Sequence, residues 1–182
     1  LSAHFTHVSG ITLAISASAR DAGLEAMRIA GAAGRQVSFD PNLRLALWPL
    51  EEARYEITQA LGLADIALPG LDDARQITGL DAPEDIVRAF HEMGPDVVAL
   101  TLGEEGALLG HAGTITHIPG VPVPAVDATG AGDCFDGAFL TRLSKGDAPE
   151  AACRYAVAAS ALSVQGYGAV GPLPTVADMS AG

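Results

Sequence analysis

Residues 126–140, VDATGAGDCFDGAFL, combine three glycines and three aspartates and then continue into an apolar stretch. From Phe135 onwards the apolar residues recur at helical spacing, which predicts a helix over Gly132–Leu143. Gly130 and Gly132 lack side chains, so an anion can approach the backbone closely. Because a helix start combines unpaired amides with the positive end of the dipole, the stretch predicts an anion site. A plain glycine turn before a helix with an acidic first turn would show the same spacing.

Asp133 lies within this stretch and is itself negative, so it does not suit a phosphate ligand. Beside an anion, it makes chemical sense as a base that takes a proton from a hydroxyl group attacking phosphorus. Phosphoryl transfer requires this combination of charge stabilisation and an oriented acceptor. The stretch lacks the Lys-Ser/Thr ending of a P-loop and comes too late in the chain for a dinucleotide fingerprint.

Short apolar runs alternate with helical patterns through the first part of the chain, as is typical of βαβ units and a mostly parallel sheet. The apolar runs predict strands at Phe5–Val8, Ile11–Ile15, Val37–Phe39, Ile66–Leu68 and Val97–Leu102. The patterns between them predict helices at Ala19–Ala33, Leu50–Leu61, Asp72–Thr78 and Glu84–Met93. The fold class is therefore α/β.

The later part of the chain predicts a hairpin and two helices. Ala107–Leu109 and Thr114–Ile118 flank a glycine-containing turn and indicate a hairpin or sheet edge. The second helix is expected at Ala148–Val164, where Asp147 and Glu150 have the spacing of a capping box.

Composition limits the classes of partner. The 182 residues carry 10 Lys and Arg against 22 Asp and Glu, a formal net charge of −12, which argues against nucleic acid or an anionic membrane. No apolar run reaches the length of a membrane span, and no secretory pattern is seen. The small number of cysteines favours reduced thiols in a cytoplasmic protein. The two cysteines, Cys134 and Cys153, are expected to be reduced.

The string DATGAGD (127–133), followed by its apolar helix, resembles the D-T-x-G-A-G-D signature of the pfkB, or ribokinase-type, carbohydrate kinases, with Ala128 as its departure. The resemblance implies a ribokinase-like fold, with a mostly parallel sheet flanked by helices on both faces. It implies that Asp133 is the catalytic base for a sugar hydroxyl. It assigns the anion hole to the amides of Gly130, Ala131 and Gly132. Asp127 and Thr129 would support the loop and a nearby metal or monovalent cation such as K⁺.

Two further segments resemble the nucleotide-binding parts of the same family and imply ATP. VVALTLGEEGALL (97–109) is similar to the strand and turn that lie under the nucleotide, with Thr101, Gly103 and Gly106 as the matching residues. An ordinary hairpin turn would also account for Gly103. ALSVQGYGAVGPLPT (161–175) is similar to the loop that flanks the adenine, with Gly168 and Ala169 in the matching places.

ALPGLDDARQITG (67–79) corresponds to a segment that reads Pro-Asn-x-x-Glu in many members of this family and orders the water molecules of Mg²⁺. Gly70 and Asp73 stand at the two polar positions. Asp73 could act through water, because Mg²⁺ keeps several of its waters, whereas Gly70 has no side chain to do so.

FDPNLRLALWPL (39–50) resembles the D-x-N-x-R-x-x-L-W pattern of 2-keto-3-deoxygluconate kinases and some fructokinases. Asp40 and Asn42 leave the carboxyl end of a predicted parallel strand, where such sheets bind ligands. Arg44 could hold a sugar-acid carboxylate through two hydrogen bonds, or bind a phosphate oxygen. The alternative for Arg44 is a surface ion pair with Glu51 or Glu52.

The expected reaction is ATP-dependent phosphorylation of the primary hydroxyl of a sugar or sugar acid, with 2-keto-3-deoxygluconate as the favoured substrate. Members of the family have a preceding half with further βαβ units and a β lid, so residues 1–182 are expected to be the C-terminal part of a single kinase domain. An open sheet edge would then be available for a homo-oligomer. The alternatives are a fructokinase or other sugar kinase of the family, and a truncated, non-catalytic nucleotide-binding protein.

Overall fold

The computed structural model describes residues 3–180 and divides them into two compact units. The first unit contains the described residues up to Thr101 together with Leu108–Ile115. The second contains Leu102–Ala107 and the described residues from Thr116 onwards.

The strands are β1 (Phe5–Ser9), β2 (Gln36–Asp40), β3 (Ile66–Ala67), β4 (Val97–Thr101), β5 (Gly106–His111) and β6 (Thr114–Pro119). The helices are α1 (Gly10–Ile15), α2 (Ala17–Ala32), α3 (Leu50–Leu61), α4 (Leu71–Thr78), α5 (Pro83–Met93), α6 (Ala131–Ser144) and α7 (Pro149–Ser163). Two 3₁₀ turns lie at Gly103–Glu105 and Asp178–Ser180.

The strands form one sheet in the order β1-β2-β3-β4-β5-β6, and β1 to β4 are parallel. This confirms the predicted α/β fold with a mostly parallel sheet. Ser9 and Asp40 are register partners at the last residues of β1 and β2. Because the carboxyl ends of parallel strands meet at one edge of a sheet, the segments that follow β2 and β3 emerge along the same edge.

The first unit buries the apolar faces of its helices against the strands. Helix α2 packs on β1 and β2, and α5 packs on β4. Phe39 of β2, Leu100 of β4 and Phe90 of α5 are fully buried. Central parallel strands are covered by helices and read as continuous apolar runs, which explains why these strands were predictable.

In the second unit, helices α6 and α7 pack against each other. The rings of Phe135 and Phe139 lie parallel, with centroids 6.0 Å apart. Both side chains are fully buried, as the helical spacing of this stretch predicted. Among residues 3–180, no helix has the length and apolar character needed to cross a bilayer.

The strand predicted at Ile11–Ile15 is wrong, since these residues belong to helix α1. A short apolar run cannot be assigned to strand or helix by periodicity alone. The burial follows helical spacing, because Gly10 and Leu13 are buried whereas Ile15 is exposed. At Gly10, an added Cβ would lie 1.8 Å from the carbonyl oxygen of Pro41, so the chain turns into α1 in close contact with the segment after β2.

The predicted capping box before α7 is also wrong. The helix begins at Pro149, and the residue before it, Ala148, has no side chain that can cap. Asp147 instead accepts hydrogen bonds from the Arg142 guanidinium near the end of α6. The ion pair with Arg142 therefore engages the side chain that the sequence pattern assigned to the cap.

Candidate active site

The segment before α6 is fixed by main-chain hydrogen bonds. The amides of Val126 and Asp127 both donate to the carbonyl of Val164, over 2.7 and 3.1 Å. The segment 126–130 therefore runs beside the end of α7 and the loop that follows it.

Gly130 is the residue from which α6 begins, and it adopts a left-handed conformation with φ 78°. An added Cβ would lie 2.7 Å from the Cβ of Ala169 and 3.0 Å from its Cα. Only glycine fits here, because both the backbone conformation and the contact with Ala169 exclude a side chain. Of the predicted site residues, Gly130 and Ala169 are thus in direct contact.

The first turn of α6 leaves two backbone amides available. The Ala131 amide donates to the Ala128 carbonyl over 3.1 Å, and the Cys134 amide donates to the Gly130 carbonyl over 2.9 Å. Among the described residues, no acceptor takes the amides of Gly132 and Asp133. An added Cβ at Gly132 would meet nothing within 4 Å, so the space beside these amides is open.

The Asp133 carboxylate projects from this turn and is exposed. No hydrogen bond or ion pair with any of residues 3–180 engages it. A carboxylate without a partner, next to two amides without acceptors, can take a proton from one group while the amides hold the negative charge of another.

Asp127 connects the segment before α6 to the loop after α7. Its Oδ1 accepts hydrogen bonds from the amide and the hydroxyl of Thr129, over 2.9 and 2.6 Å. Its Oδ2 accepts the Gly168 amide over 2.8 Å. These bonds, that of the Thr129 hydroxyl most of all, lower the pKa of Asp127 below its ordinary value.

The turn between β4 and β5 contains the other predicted nucleotide-binding residues. Thr101 ends β4, and its amide donates to the Pro69 carbonyl over 2.9 Å. Gly103 has φ 63° and open space beside it. Gly106 has φ 97°, and an added Cβ would lie 2.1 Å from the Ile118 carbonyl oxygen. Gly106 is therefore required by the close approach of β6, whereas Gly103 leaves its backbone accessible.

The predicted sugar-binding residues lie on the segment 40–44 of the first unit. The Asn42 amide donates to Oδ1 of Asp40 over 2.9 Å, and Asn42 has φ 35°, which asparagine tolerates better than most residues. Arg44 is exposed, and its Nη1 donates to the carbonyl of Leu43 over 2.9 Å. The alternative ion pair of Arg44 is not seen in the described part of the chain, where Glu52 pairs with Arg20.

Asp73 lies in the first turn of α4, and its Oδ2 accepts the Leu43 amide over 2.8 Å. Burial raises the pKa of Asp73, and the Leu43 amide and the nearby Arg44 charge oppose that rise. The structure thus brings Asp73 together with the segment 40–44.

The sequence of this chain matches the family model of the pfkB family carbohydrate kinases over residues 1–176. The chain belongs to the pfkB family. A curated relative from Bacillus subtilis, named 2-dehydro-3-deoxygluconokinase, is 35% identical over 171 residues, which cover 93% of this chain and 53% of the relative.

Two crystal structures of pfkB-like kinases show the same fold. The fructokinase of Vibrio cholerae O395, in its fructose, ADP and calcium ion bound form, has a TM-score of 0.91 at 32% identity, covering 97% of this chain and 59% of that one. The aminoimidazole riboside kinase of Salmonella enterica, complexed with aminoimidazole riboside and an ATP analog, has a TM-score of 0.90 at 33% identity, covering 97% and 61%. The present chain spans about half the length of the curated relatives it matches.

The residues predicted to hold a metal in this pfkB chain differ in their fit. Oδ1 of Asp127 already accepts two donors and Oδ2 accepts a third, so its carboxylate does not suit direct coordination of Mg²⁺. Asp73 keeps one oxygen, Oδ1, that no hydrogen bond of the described residues uses. Within residues 3–180, no group of three or more His, Cys, Asp or Glu side chains could hold a metal ion by itself.

The sequence did not predict that Asp136 is buried, although this residue lies only one turn after Asp133. Its position among the apolar residues of α6 was visible, but a single acidic residue on that face gave no signal of burial. Cys134 is half-buried, and burial raises the pKa of its thiol despite the helix start.

We expect Asp127→Asn to loosen the contact between segment 126–130 and the loop at Gly168. An amide keeps only one acceptor oxygen, so an NH₂ group would face either Gly168 or Thr129. Because Thr129 presents two donors, the oxygen should stay on its side and the NH₂ group should face Gly168, so amide hydrogen exchange at Gly168 should become several-fold faster at neutral pH. In the parent protein the bonds persist above the ordinary pKa of an aspartate and are lost as the pH falls through the lowered pKa.

Asp178→Asn is the matched control for this measurement. Asp178 accepts the amide and hydroxyl of Thr175 in the same way, over 2.7 and 2.6 Å, in a separate turn. Its replacement should leave exchange at Gly168 unchanged. Equal exchange at Gly168 in the parent protein and in Asp127→Asn would contradict the assigned link.

Proposed function

We propose that the protein to which this chain belongs transfers the γ-phosphoryl group of ATP to the primary hydroxyl of a sugar or sugar acid. The observation that carries the proposal is the first turn of α6. There, the exposed Asp133 carboxylate stands beside the Gly132 and Asp133 amides, which have no acceptor among the described residues. Membership of a family of carbohydrate kinases supports this assignment.

In the proposed reaction, Asp133 accepts the proton of the primary hydroxyl as its oxygen attacks the γ-phosphorus of ATP. The new O–P bond forms as the bond from phosphorus to the bridging oxygen breaks, and ADP leaves with the electron pair of that bond. The amides of Gly132 and Asp133, with the dipole of α6, stabilise the charge on the transferred group. Because the Ala131 amide already donates to Ala128, its predicted part in the anion hole would require a change in this turn.

The residues proposed to lie near the nucleotide are Thr101, Gly103, Gly168 and Ala169. Two contacts support a common role for Gly168 and Ala169 with the anion site, the bond from the Gly168 amide to Asp127 and the close approach of Ala169 to Gly130. Mg²⁺ bound to ATP would supply positive charge at the phosphates. The family resemblance assigns Asp73 to this Mg²⁺ through a water molecule. A monovalent cation near Asp127 and Thr129 is a further proposal.

We favour 2-keto-3-deoxygluconate as the substrate. The relative from B. subtilis carries the name 2-dehydro-3-deoxygluconokinase, a synonym for a kinase of this sugar acid. Arg44 is exposed on the segment 40–44, without an ion pair in the described part of the chain, so its guanidinium can turn to a carboxylate. Asp40 and Asn42 are proposed to bind the sugar hydroxyls.

Fructose is the second candidate substrate, because the fructokinase from V. cholerae has the same fold with fructose bound. A neutral sugar would not need the charge of Arg44. We further propose that residues 1–182 belong to the C-terminal part of one kinase domain and that the protein acts in the cytoplasm. The remaining alternative is a nucleotide-binding protein without catalysis.

Asp133→Asn tests the proposed base in the full-length protein. The amide cannot accept the hydroxyl proton, so kcat should fall by about 10²- to 10⁴-fold. ATP affinity, measured by calorimetry, should remain that of the parent. Asp72→Asn, which replaces an exposed aspartate in the first turn of α4, is the control and should keep full turnover. Unchanged turnover in Asp133→Asn would refute this mechanism.

Arg44→Ala tests the substrate class. Loss of a charge-assisted pair of hydrogen bonds should raise the KM for 2-keto-3-deoxygluconate by roughly 10- to 100-fold. The KM for fructose should change little. Arg88→Ala, at an exposed arginine of α5, should alter neither value. If Arg44→Ala raises both KM values equally, the preference for a sugar acid has no basis.

A further inference from the structure

The peptide groups of Leu43 are held by two charged side chains. The Leu43 amide donates to Oδ2 of Asp73 over 2.8 Å. The Leu43 carbonyl accepts Nη1 of Arg44 over 2.9 Å. Leu43 itself is buried and its hydrogen bond to Asp73 is partly buried, so water is a poorer alternative acceptor for this amide than at an exposed position. A buried amide that loses its acceptor is costly, which makes the bond to Asp73 a strong constraint on this segment.

The other contacts of segment 40–44 come from the strand ends. Oδ1 of Asp40 holds the Asn42 amide within the segment itself. Gly10, the first residue of α1 after β1, lies against the Pro41 carbonyl so closely that a Cβ would be 1.8 Å from its oxygen. These contacts fix the segment as far as Asn42. The carboxylate of Asp73 reaches it from a different element, α4, and fixes the residue directly before Arg44.

The charged form of Asp73 is disfavoured by its partial burial. It is half-buried, and desolvation disfavours its charged form and is the largest influence on its pKa. The Leu43 amide and the Arg44 charge act in the opposite direction. Its neighbour Asp72 is different, with 95% of the side chain exposed and only a distant contact, 3.8 Å, to Arg75. Of these two adjacent carboxylates, Asp73 is the one that accepts a hydrogen bond from segment 40–44.

We propose that Asp73 is a positioning residue for the sugar: it anchors the backbone of segment 40–44 to α4 and so presents Arg44 to the substrate. The proposal rests on the proposed sugar-binding function of that segment. It gives Asp73 a role through a hydrogen bond to the main chain, whereas the magnesium role implied by the family resemblance would depend on its negative charge.

Asp73→Asn distinguishes the hydrogen-bonding role from the magnesium role, because asparagine keeps an acceptor oxygen and loses the charge. In the full-length protein, Asp73→Ala should raise the KM for 2-keto-3-deoxygluconate by about tenfold or more, with a smaller change in kcat. Asp73→Asn should restore a KM close to that of the parent. The Mg²⁺ concentration for half-maximal activity should be the same in all three proteins. Asp72→Ala is the control and should match the parent throughout.

Amide hydrogen exchange over residues 40–47 supplies a readout that does not need activity. Exchange at Leu43 should be about tenfold or more faster in Asp73→Ala, and close to the parent in Asp73→Asn. Unchanged exchange in Asp73→Ala would overturn the inference. So would a Mg²⁺ requirement raised equally in Asp73→Ala and Asp73→Asn, since that result assigns the charge to the metal. A parent protein that phosphorylates no sugar would refute the proposed function, while the exchange result would still decide whether Asp73 anchors the segment.

Discussion

A left-handed glycine, Gly130, determines where α6 begins in the second unit. Gly130 combines φ 78° with a contact to Ala169 that leaves no room for a Cβ, and α6 begins at the next residue. The start of the helix in turn fixes which amides lack a partner and on which turn Asp133 stands. Asp127 stabilises this arrangement, because its carboxylate joins the segment before Gly130 to Gly168 through charged hydrogen bonds. A single backbone conformation thus places both the amides without acceptors and the exposed carboxylate that we propose as the base.

In the first unit, close packing and hydrogen bonds to carboxylates likewise fix the backbone of one segment, 40–44. Its sheet delivers the segments after β2 and β3 to one edge, and close backbone packing of Gly10 on Pro41 fixes the first of them. The carboxylates of Asp40 and Asp73 then hold two successive amides of that segment. Such support would favour the proposed role of Arg44, because a long side chain on a mobile loop would lose conformational entropy on binding a substrate. Anchoring the backbone in advance reduces that loss.

Much of this structure could be predicted from the sequence. Buried parallel strands between amphipathic helices predicted the fold, and the spacing of 127–133 predicted the start of α6. The role of Asp133 as a base stays a prediction. The errors have physical causes. The run Ile11–Ile15 is too short to distinguish the periodicity of a strand from that of a helix. The side chain of Asp147 pairs with Arg142 and does not cap α7. The hydrogen bond from Leu43 to Asp73 joins residues 30 positions apart, so no local pattern could reveal it. The unavailable Ala131 amide likewise depends on turn geometry that residue types do not specify.

If the first turn of α6 holds the phosphoryl group during transfer, a side chain at Gly132 should obstruct that group. Gly132 and Gly137 both lie in α6, and an added Cβ would meet no atom within 4 Å at either position. Alanine should therefore leave both variants folded and no less stable in thermal melts. We predict that Gly132→Ala lowers kcat for ADP formation in the full-length protein by about tenfold or more, because its methyl group occupies the anion's space. Gly137→Ala should match the parent. Equal kcat values in the two variants would contradict the account.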